Sequence, residues 1–235
     1  MDLSILELGV EGKDLRVVII GNGVVVQDYR QFVDDADCVI RFNLFDLGTG
    51  QTGSRTDVLF YTNTGGPARN GALKRKIRRL KNVDSIEEVW FPRSPRSRLQ
   101  NLALKLSGQR KFMEYGNQLV SRNHLFNQRI LYLGDKFCDL LWQKLTALGD
   151  AGDASMPSSG MYAIEHVLNS RRFRNATVYT LGFSHQGSGP HPWQLEAELC
   201  RQYTEQGRLK ILSGDEPTVG FRPIQREIVA ASQTA

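Results

Sequence analysis

The sequence is poor in cysteine and contains no long hydrophobic run. Three of its 235 residues are cysteines, Cys38, Cys138 and Cys200, and their spacing fits neither a disulfide framework nor a metal site. Apolar stretches of about 18 residues or more, which a membrane-spanning helix needs, do not occur. The N-terminus is acidic and lacks the apolar core of a secretory signal. We therefore expect a cytoplasmic protein with reduced, inert thiols.

Acidic residues are outnumbered, since 30 Lys and Arg face 25 Asp and Glu and the formal net charge is +5. Much of the positive charge lies in three runs, at 73–81, 93–98 and 171–174. Such runs attract the phosphates of nucleotides, anionic lipids or nucleic acids, although each run can also be a solvated helix face. No aromatic platform or known nucleic-acid motif accompanies them, so we expect no nucleic-acid partner.

Short apolar runs alternate with helical patterns along the chain. Strands are predicted in LRVVIIG, DCVIRFN, TDVLFYT, EEVWFP, RILYLG and ATVYTLGF, and helices at 71–82, 98–108, 136–149, 160–170 and 192–207. This alternation predicts an α/β fold of the Rossmann-like kind, with a mostly parallel sheet and helices on both faces. The length suits a single domain over 1–235. Segments rich in Gly, Ser and Thr, at 47–56, 62–71, 149–160 and 182–190, are predicted to be loops that could bind a ligand.

The glycine turn GNGVVV follows the first strand and invites comparison with a dinucleotide-binding loop. Val26 stands where that motif has its third glycine, and Arg41 and Asn43 stand near the position of its acidic residue. A nicotinamide or flavin site is therefore not expected. Gly21 and Gly23 could still let backbone N–H groups approach a phosphate, or they could form a plain tight turn.

Two further motifs contain candidate functional groups. Ser158, Ser159 and Gly160 precede a helical pattern, and a helix start of this kind supplies free N–H groups and hydroxyls to an anion, or simply an N-cap. His185 and His191 lie in the loop after the last predicted strand, and His191 begins the sequence HPWQLE, which ends at Glu196. A loop histidine is either an ordinary surface residue or a general base, because imidazole titrates near neutral pH.

Three stretches, in this order, resemble the motifs of the sialyltransferases of glycosyltransferase family 29. The first contains VIIGNG, VDDADCVIRFN and TGSRTD, the second contains PSSGMYAIEHVLN and VYTLGF, and the third is His-x4-Glu, from His191 to Glu196. Each motif is common by itself, whereas the ordered combination is specific and covers roughly positions 15–200. The cysteines that join two of these motifs in the animal enzymes are replaced here, and no membrane anchor or stem is found. These departures fit a bacterial-type, cytosolic relative.

The resemblance implies a GT-A-like variant of the Rossmann-like fold and roles for individual residues. His191 matches the family's catalytic base, and His185 is placed like the histidine that donates to the departing phosphate. Asn22, Gly23, Asn43 and the Ser158–Gly160 segment would bind the nucleotide. Glu196 would accept a hydrogen bond from a backbone N–H near the start of its own helix and so orient the loop. Arg41 would offset phosphate charge, or would pair with the acidic loop around Asp34, Asp35 and Asp37.

The function that these resemblances imply is transfer of a 3-deoxy-2-ulosonic sugar acid, such as sialic acid or Kdo, from a CMP-linked donor to a glycan hydroxyl. We expect inversion at the anomeric carbon, because one base and a direct displacement suffice. No metal or other cofactor is expected, and Asp35 to Asp37, although spaced as Asp-x-Asp, is not expected to bind metal. The acceptor could be lipid-linked or anionic, with peripheral contact to the inner membrane. The alternative is a non-catalytic protein of the same fold that binds CMP, another nucleotide or a glycan.

Overall fold

Seven strands form one sheet in the computed structural model, which describes residues 15–45, 47, 50–80, 83–185 and 190–212. The strands are β1 (Leu15–Ile20), β2 (Cys38–Phe42), β3 (Val58–Phe60), β4 (Glu88–Phe91), β5 (Arg129–Tyr132), β6 (Ala176–Leu181) and β7 (Leu209–Leu212). Every neighbouring pair is parallel, and the order is β5-β4-β3-β2-β1-β6-β7. The predicted parallel α/β sheet is confirmed.

Seven α-helices accompany the strands in the described residues. They are α1 (Arg30–Asp34), α2 (Gly65–Leu73), α3 (Arg98–Leu106), α4 (Gly116–Arg122), α5 (Asp135–Thr146), α6 (Ser159–Asn169) and α7 (Trp193–Glu205). Within the described ranges, no helix is long and apolar enough to cross a membrane. The assignment of 1–235 to one domain stays a prediction. The N-terminal segment that the sequence excludes as a secretory signal, residues 1–14, lies outside the described residues.

The core is split by the sheet into two layers. Alternate side chains of a strand point to opposite faces, so Val17 and Ile19 of β1 pack with α5, α6 and α7, whereas Val18 and Ile20 pack on the side of α1. Further along the sheet, Leu59 of β3 joins the buried residues of α2 and α4 on that second side. Helices therefore cover both faces, as the buried apolar strands predict.

The sequence pattern predicted one helix at the wrong position and did not predict several short elements. The segment 62–71 was expected to be a loop and 71–82 a helix, but α2 ends at Leu73 and Arg75 then adopts a left-handed backbone (φ 49°). The small residues that suggested a loop are needed by the helix, because a Cβ on Gly71 would collide with the hydroxyl of Tyr61. Strand β7 and the short helices α1 and α4 were not predicted, since they are short and carry weak periodicity.

The order of the strands creates a switch point between β1 and β6. From β1 the chain builds outward to β5 on one side, and β6 then returns to the other side of β1. In open parallel sheets a crevice forms at the carboxyl ends of the two strands where the direction reverses. Here those ends lead into the glycine turn after Ile20 and into the segment after Leu181.

Candidate active site

A cavity of about 310 Å³ lies at this switch point. It is bounded by the segments after β1, β2 and β6 and by the starts of α6 and α7. Every candidate residue from the sequence except Arg41 lines the cavity: Asn22, Gly23, Asn43, Ser158, Ser159, Gly160, His185, His191 and Glu196. The fold therefore brings together residues that stand up to 174 positions apart in the chain, from 22 to 196.

Ser158 and Glu196 form a buried clamp between the starts of α6 and α7. The backbone N–H and the hydroxyl of Ser158 donate to the two carboxylate oxygens of Glu196, both at 2.6 Å. The same hydroxyl accepts from the N–H of Met161 (3.2 Å) and so caps α6. The sequence suggested that Glu196 accepts from a backbone N–H at the start of its own helix. In the structure the donors come from Ser158, so Glu196 orients the start of α6 instead.

The clamp has two electrostatic consequences. Burial raises the pKa of the Glu196 carboxyl, against the opposing effects of the Ser158 hydrogen bonds and of His191. Both donors of Ser158 are occupied, so the residue can offer a ligand one remaining acceptor lone pair. Ser158 thus shapes this part of the cavity mainly by holding the helix start.

Ser159 and Gly160, the two residues after Ser158, provide free hydrogen-bond donors in the first turn of α6. Among the described residues, the backbone N–H groups of Ser159 and Gly160 have no hydrogen-bond partner. The amide of Asn43 donates to the Ser159 hydroxyl (3.4 Å), and its carbonyl oxygen accepts from the N–H of Thr62 (3.0 Å). Asn43 has a left-handed backbone (φ 49°), which Asn tolerates better than most residues. These groups form a polar surface suited to an anion or a nucleotide.

The glycines of the first turn serve close packing between strands. The N–H groups of Gly21 and Gly23 donate to the carbonyls of Leu181 (2.7 Å) and Gly182 (3.0 Å). A Cβ on either glycine would collide with the Gly182 carbonyl. Of the two predictions for these glycines, N–H groups that face a phosphate or a plain tight turn, the structure shows the turn, because Leu181 of β6 and the following Gly182 accept from both donors. Asn22, exposed at the tip of the turn, is the residue there whose side chain can reach a ligand.

His191 has a defined tautomer. Its Nδ1 lies 3.0 Å from the carbonyl oxygen of Met156, and since a carbonyl only accepts, Nδ1 carries the proton. The Nε2 atom of the neutral ring is then left with its lone pair. The edge-to-face contact with Trp193, with ring centroids 5.0 Å apart, further fixes the imidazole plane. A histidine held in this way can accept a proton at Nε2.

His185 is held differently from His191. It has a left-handed backbone (φ 48°), and its ring lies 6.2 Å from that of Phe183 at an angle of 34°. Burial lowers its pKa below the ordinary value of histidine, so the ring is neutral at neutral pH and can donate one N–H. The segment 186–189 that links it to His191 lies outside the described residues.

Arg41 does not reach the cavity. Its guanidinium is 1% exposed and donates to the hydroxyl and carbonyl of Thr52 (3.1 and 2.7 Å), to the Gly53 carbonyl (3.1 Å) and to the Arg55 carbonyl (3.2 Å). Burial lowers its pKa to about 10, against the opposing charge of Asp34. The predicted alternatives for Arg41 were offset of phosphate charge and pairing with the acidic loop, whereas the structure uses its guanidinium to hold the 52–55 segment in place.

The acidic loop is likewise occupied by protein contacts. Asp34 accepts from the N–H groups of Ser54 and Arg55 (both 3.0 Å), and Asp37 accepts from the N–H of Arg16 (2.9 Å). The Arg55 guanidinium in turn donates to Asp57 and to loop carbonyls. These contacts give the acidic loop a structural role. That the protein needs no metal ion stays a prediction.

The other histidines lie away from the site, as expected. His166 packs edge-on against Trp90 (4.8 Å) and Phe137, and burial lowers its pKa to about 4. His124 is exposed. Both are packing or surface residues, as the sequence suggested.

Sequence reasoning missed the aromatic lining of the cavity. Phe42, Phe183 and Trp193 line it together with the polar residues, and the rings of Phe42 and Phe183 meet edge-on at 5.9 Å. The Phe183 ring also lies where a Cβ on Gly160 would stand. Each aromatic residue lies within one of the motif stretches VDDADCVIRFN, VYTLGF and HPWQLE, and that placement was the available signal. Their faces suit the packing of a planar base or a sugar ring.

No family model matches the chain. Among curated proteins, the chain is 28% identical over 204 residues to the urease operon 23 kDa accessory protein of Rhizobium meliloti (strain 1021), a match that covers 83% of this chain and 92% of that protein.

Among solved structures, a mammalian sialyltransferase matches with a TM-score of 0.57 and 16% identity, covering 86% of this chain and 70% of the other. The same values hold for a structure of a mammalian sialyltransferase in complex with Gal-beta-1-3GalNAc-ortho-nitrophenol. The chain therefore has a fold similar to that of the mammalian sialyltransferases.

Proposed function

We propose that the protein is an inverting, metal-independent glycosyltransferase that transfers a 3-deoxy-2-ulosonic sugar acid from a CMP-linked donor to a glycan hydroxyl. One observation carries the proposal. A single cavity at the switch point combines unpaired helix N–H groups, an Asn amide and two histidine rings, of which His191 has its Nδ1 held by a backbone carbonyl. The sialyltransferase-like fold supports the same reaction class.

The donor would be held by its CMP portion. The phosphate would accept from the N–H groups of Ser159 and Gly160, where the helix dipole favours negative charge. The cytidine and ribose would contact Asn22, Asn43 and the aromatic lining. Because CMP departs with charge on one phosphate, hydrogen-bond donors already in position can stabilise it without a metal ion.

The acceptor hydroxyl would be activated by His191. The oxygen of the acceptor hydroxyl attacks the anomeric carbon while Nε2 of His191 takes the hydroxyl proton. The bond between that carbon and the phosphate oxygen breaks, and both of its electrons leave with CMP. His185 would donate its N–H to the departing phosphate. Glu196 is a positioning residue, because it acts through Ser158 and the start of α6. A single displacement inverts the anomeric centre.

The partners follow from this chemistry. They are a CMP-activated sugar as substrate and a glycan acceptor, lipid-linked or anionic, used in the cytoplasm or at the inner membrane surface. Nucleic acid is not a partner in this proposal, and the CMP-sugar is a substrate and not a cofactor.

CMP release from CMP-sialic acid and from CMP-Kdo, measured with and without EDTA, tests the proposal. We expect one donor to be hydrolysed or transferred in EDTA, and the His191→Ala variant to lose at least about a hundredfold in rate. His124→Ala changes an exposed histidine away from the cavity and is the matched control. Full turnover by His191→Ala would contradict the base role, and strict dependence on a divalent metal would contradict metal independence.

A second candidate is a non-catalytic protein that binds CMP, another nucleotide or a glycan. It is favoured by the relative that is named as an accessory protein and not as an enzyme. Thermal melting separates the candidates, because a ligand that binds the folded state raises the melting temperature. A shift with CMP in both wild type and His191→Ala, with no release of CMP from either donor, would support the second candidate.

A further inference from the structure

Helix α3 presents a leucine stripe to solvent. Leu99, Leu102 and Leu106, at i, i+3 and i+7, are 78%, 48% and 80% exposed, and none of the residues of α3 is buried. The helix is nevertheless well formed, since Ser97 and Gln100 make a complete capping box at its start. Three exposed leucines on one face of a helix are unusual for a surface that faces only water.

A second cavity, of about 360 Å³, adjoins this helix and is strongly basic. Arg69, Lys105, Arg110 and Lys111 line it together with Gly65, Gly66, Met113 and Tyr115, and no carboxylate does. Within the described part of the chain, none of the four cations pairs with a carboxylate. Lys105 belongs to α3 itself, so the helix that carries the leucine stripe also contributes a cation to the basic cavity.

Charges in two of the basic runs of the sequence are neutralised within the fold. Arg93 pairs with Asp135 and Asp139, and Arg172 pairs with Glu88. Arg69, Lys105, Arg110 and Lys111 remain unpaired in the described part of the chain, and the fold gathers them around the second cavity from residues 69 to 111. Unpaired positive charge next to exposed leucines is complementary to a partner that is both anionic and apolar.

We propose that α3 and the second cavity form a docking surface for an anionic phospholipid bilayer. Leucines of an amphipathic helix enter the boundary between headgroups and acyl chains, and Lys and Arg beside them contact lipid phosphates. A soluble polyanion would leave the leucines in water. A second copy of this chain would bring two surfaces of the same positive charge together, which is unfavourable.

The docking surface and the candidate active site both lie at the carboxyl ends of the strands. Gly65 and Gly66, which line the second cavity, follow closely after β3, at the carboxyl end of the strands. Docking there would hold that edge of the protein against the bilayer, where lipid-linked acceptors are found. The inference does not depend on the proposed reaction, because vesicle binding is measured without any sugar donor.

Co-sedimentation of the full chain with vesicles tests the inference. We expect binding to phosphatidylcholine vesicles that contain about one third phosphatidylglycerol, weak binding to pure phosphatidylcholine, and loss of binding as salt is raised. Leu99→Ser with Leu106→Ser should lower partitioning at least about tenfold, and Lys105→Glu with Lys111→Glu by more than about twentyfold, since each cation contributes about fivefold. All four residues are exposed, so the variants should melt as wild type does.

Matched controls come from another helix. Leu140→Ser removes a leucine of α5 that is 55% exposed, and Lys136→Glu reverses an exposed charge on the same helix; neither should change vesicle binding. Absence of wild-type binding to anionic vesicles would overturn the inference. Equal binding by the leucine variant, or a dimer in solution that the leucine variant abolishes without any vesicle binding, would overturn it as well.

Discussion

Glu196 offers the sharpest test of how the candidate site is held together. Its carboxylate is 1% exposed and accepts both donors of Ser158, at 2.6 Å each. Glu196→Ala removes both acceptors and leaves two buried donors without partners, whereas Glu196→Gln keeps the shape of the side chain and one acceptor oxygen. The two variants therefore separate the loss of the clamp from the loss of the charge.

The expected magnitudes follow from the two hydrogen bonds. A buried donor left without an acceptor costs about 1–3 kcal/mol, so Glu196→Ala should lower the free energy of unfolding by about 3 kcal/mol. Glu196→Gln should lower it by about 1–2 kcal/mol, because one donor keeps a partner. For a domain of this size these values correspond to melting temperatures lower by roughly 9 °C and roughly 4 °C.

The pH dependence gives a second readout with a definite sign. Because burial raises the pKa of Glu196, the folded state retains its proton at pH values where the unfolded state, with a pKa near 4.3, has released it. The stability that this proton contributes is fully present below the unfolded pKa and is lost as pH rises through the folded pKa. The margin of wild type over Glu196→Gln should therefore shrink as pH rises above about 4.3.

Thermal or urea unfolding at several pH values measures both effects. Glu198→Gln, on the same helix, changes a half-buried carboxylate that pairs with the exposed Arg201 and should leave the melting temperature almost unchanged. The reasoning fails if Glu196→Ala is no less stable than Glu196→Gln, or if the margin of wild type over Glu196→Gln grows with pH.

Three further predictions concern Gly160 and His185 of the cavity and the buried Arg41 outside it. Gly160→Ala should destabilise the fold by about 1–3 kcal/mol and weaken CMP binding, because the new methyl collides with the Phe183 ring; unchanged melting and affinity would contradict this. Arg41→Lys should cost about 2–4 kcal/mol in unfolding experiments, since a single ammonium cannot replace a fork that reaches three carbonyls and a hydroxyl. CMP binding should take up protons near pH 6.5, because a phosphate raises the lowered pKa of His185; calorimetry in two buffers should find no such uptake by His185→Gln.

Much of the sheet could be predicted from the sequence. Runs such as LRVVII and CVIRF are short and mostly apolar on both faces, which is typical of buried parallel strands, and each is a strand in the structure. Helix α2 could not be predicted in the same way, because Gly71 reads as a breaker until its contact with Tyr61 is known. Local propensity is a weak signal where tertiary packing requires small residues.

The candidate site was partly predictable for a related reason. Ser158 at the start of α6 is an N-cap, and N-caps are read from local sequence because they bond to their own helix. The partner of Ser158 was not predictable, since Glu196 lies 38 residues further along the chain. The contacts of Arg41 and Gly21 were not predictable, because a sequence does not show which groups will accept hydrogen bonds from a guanidinium or a backbone N–H.

The sequence by itself determined most of the strands and helices, the capped start of α6 and the residues able to do acid–base chemistry, because these depend on neighbours within a few positions. Only the tertiary structure decided which donors are still free for a ligand, how the Nδ1 proton of His191 is fixed, and where unpaired positive charge gathers. Those properties depend on contacts between segments that are distant in the chain, and such contacts exist only once the sheet has assembled.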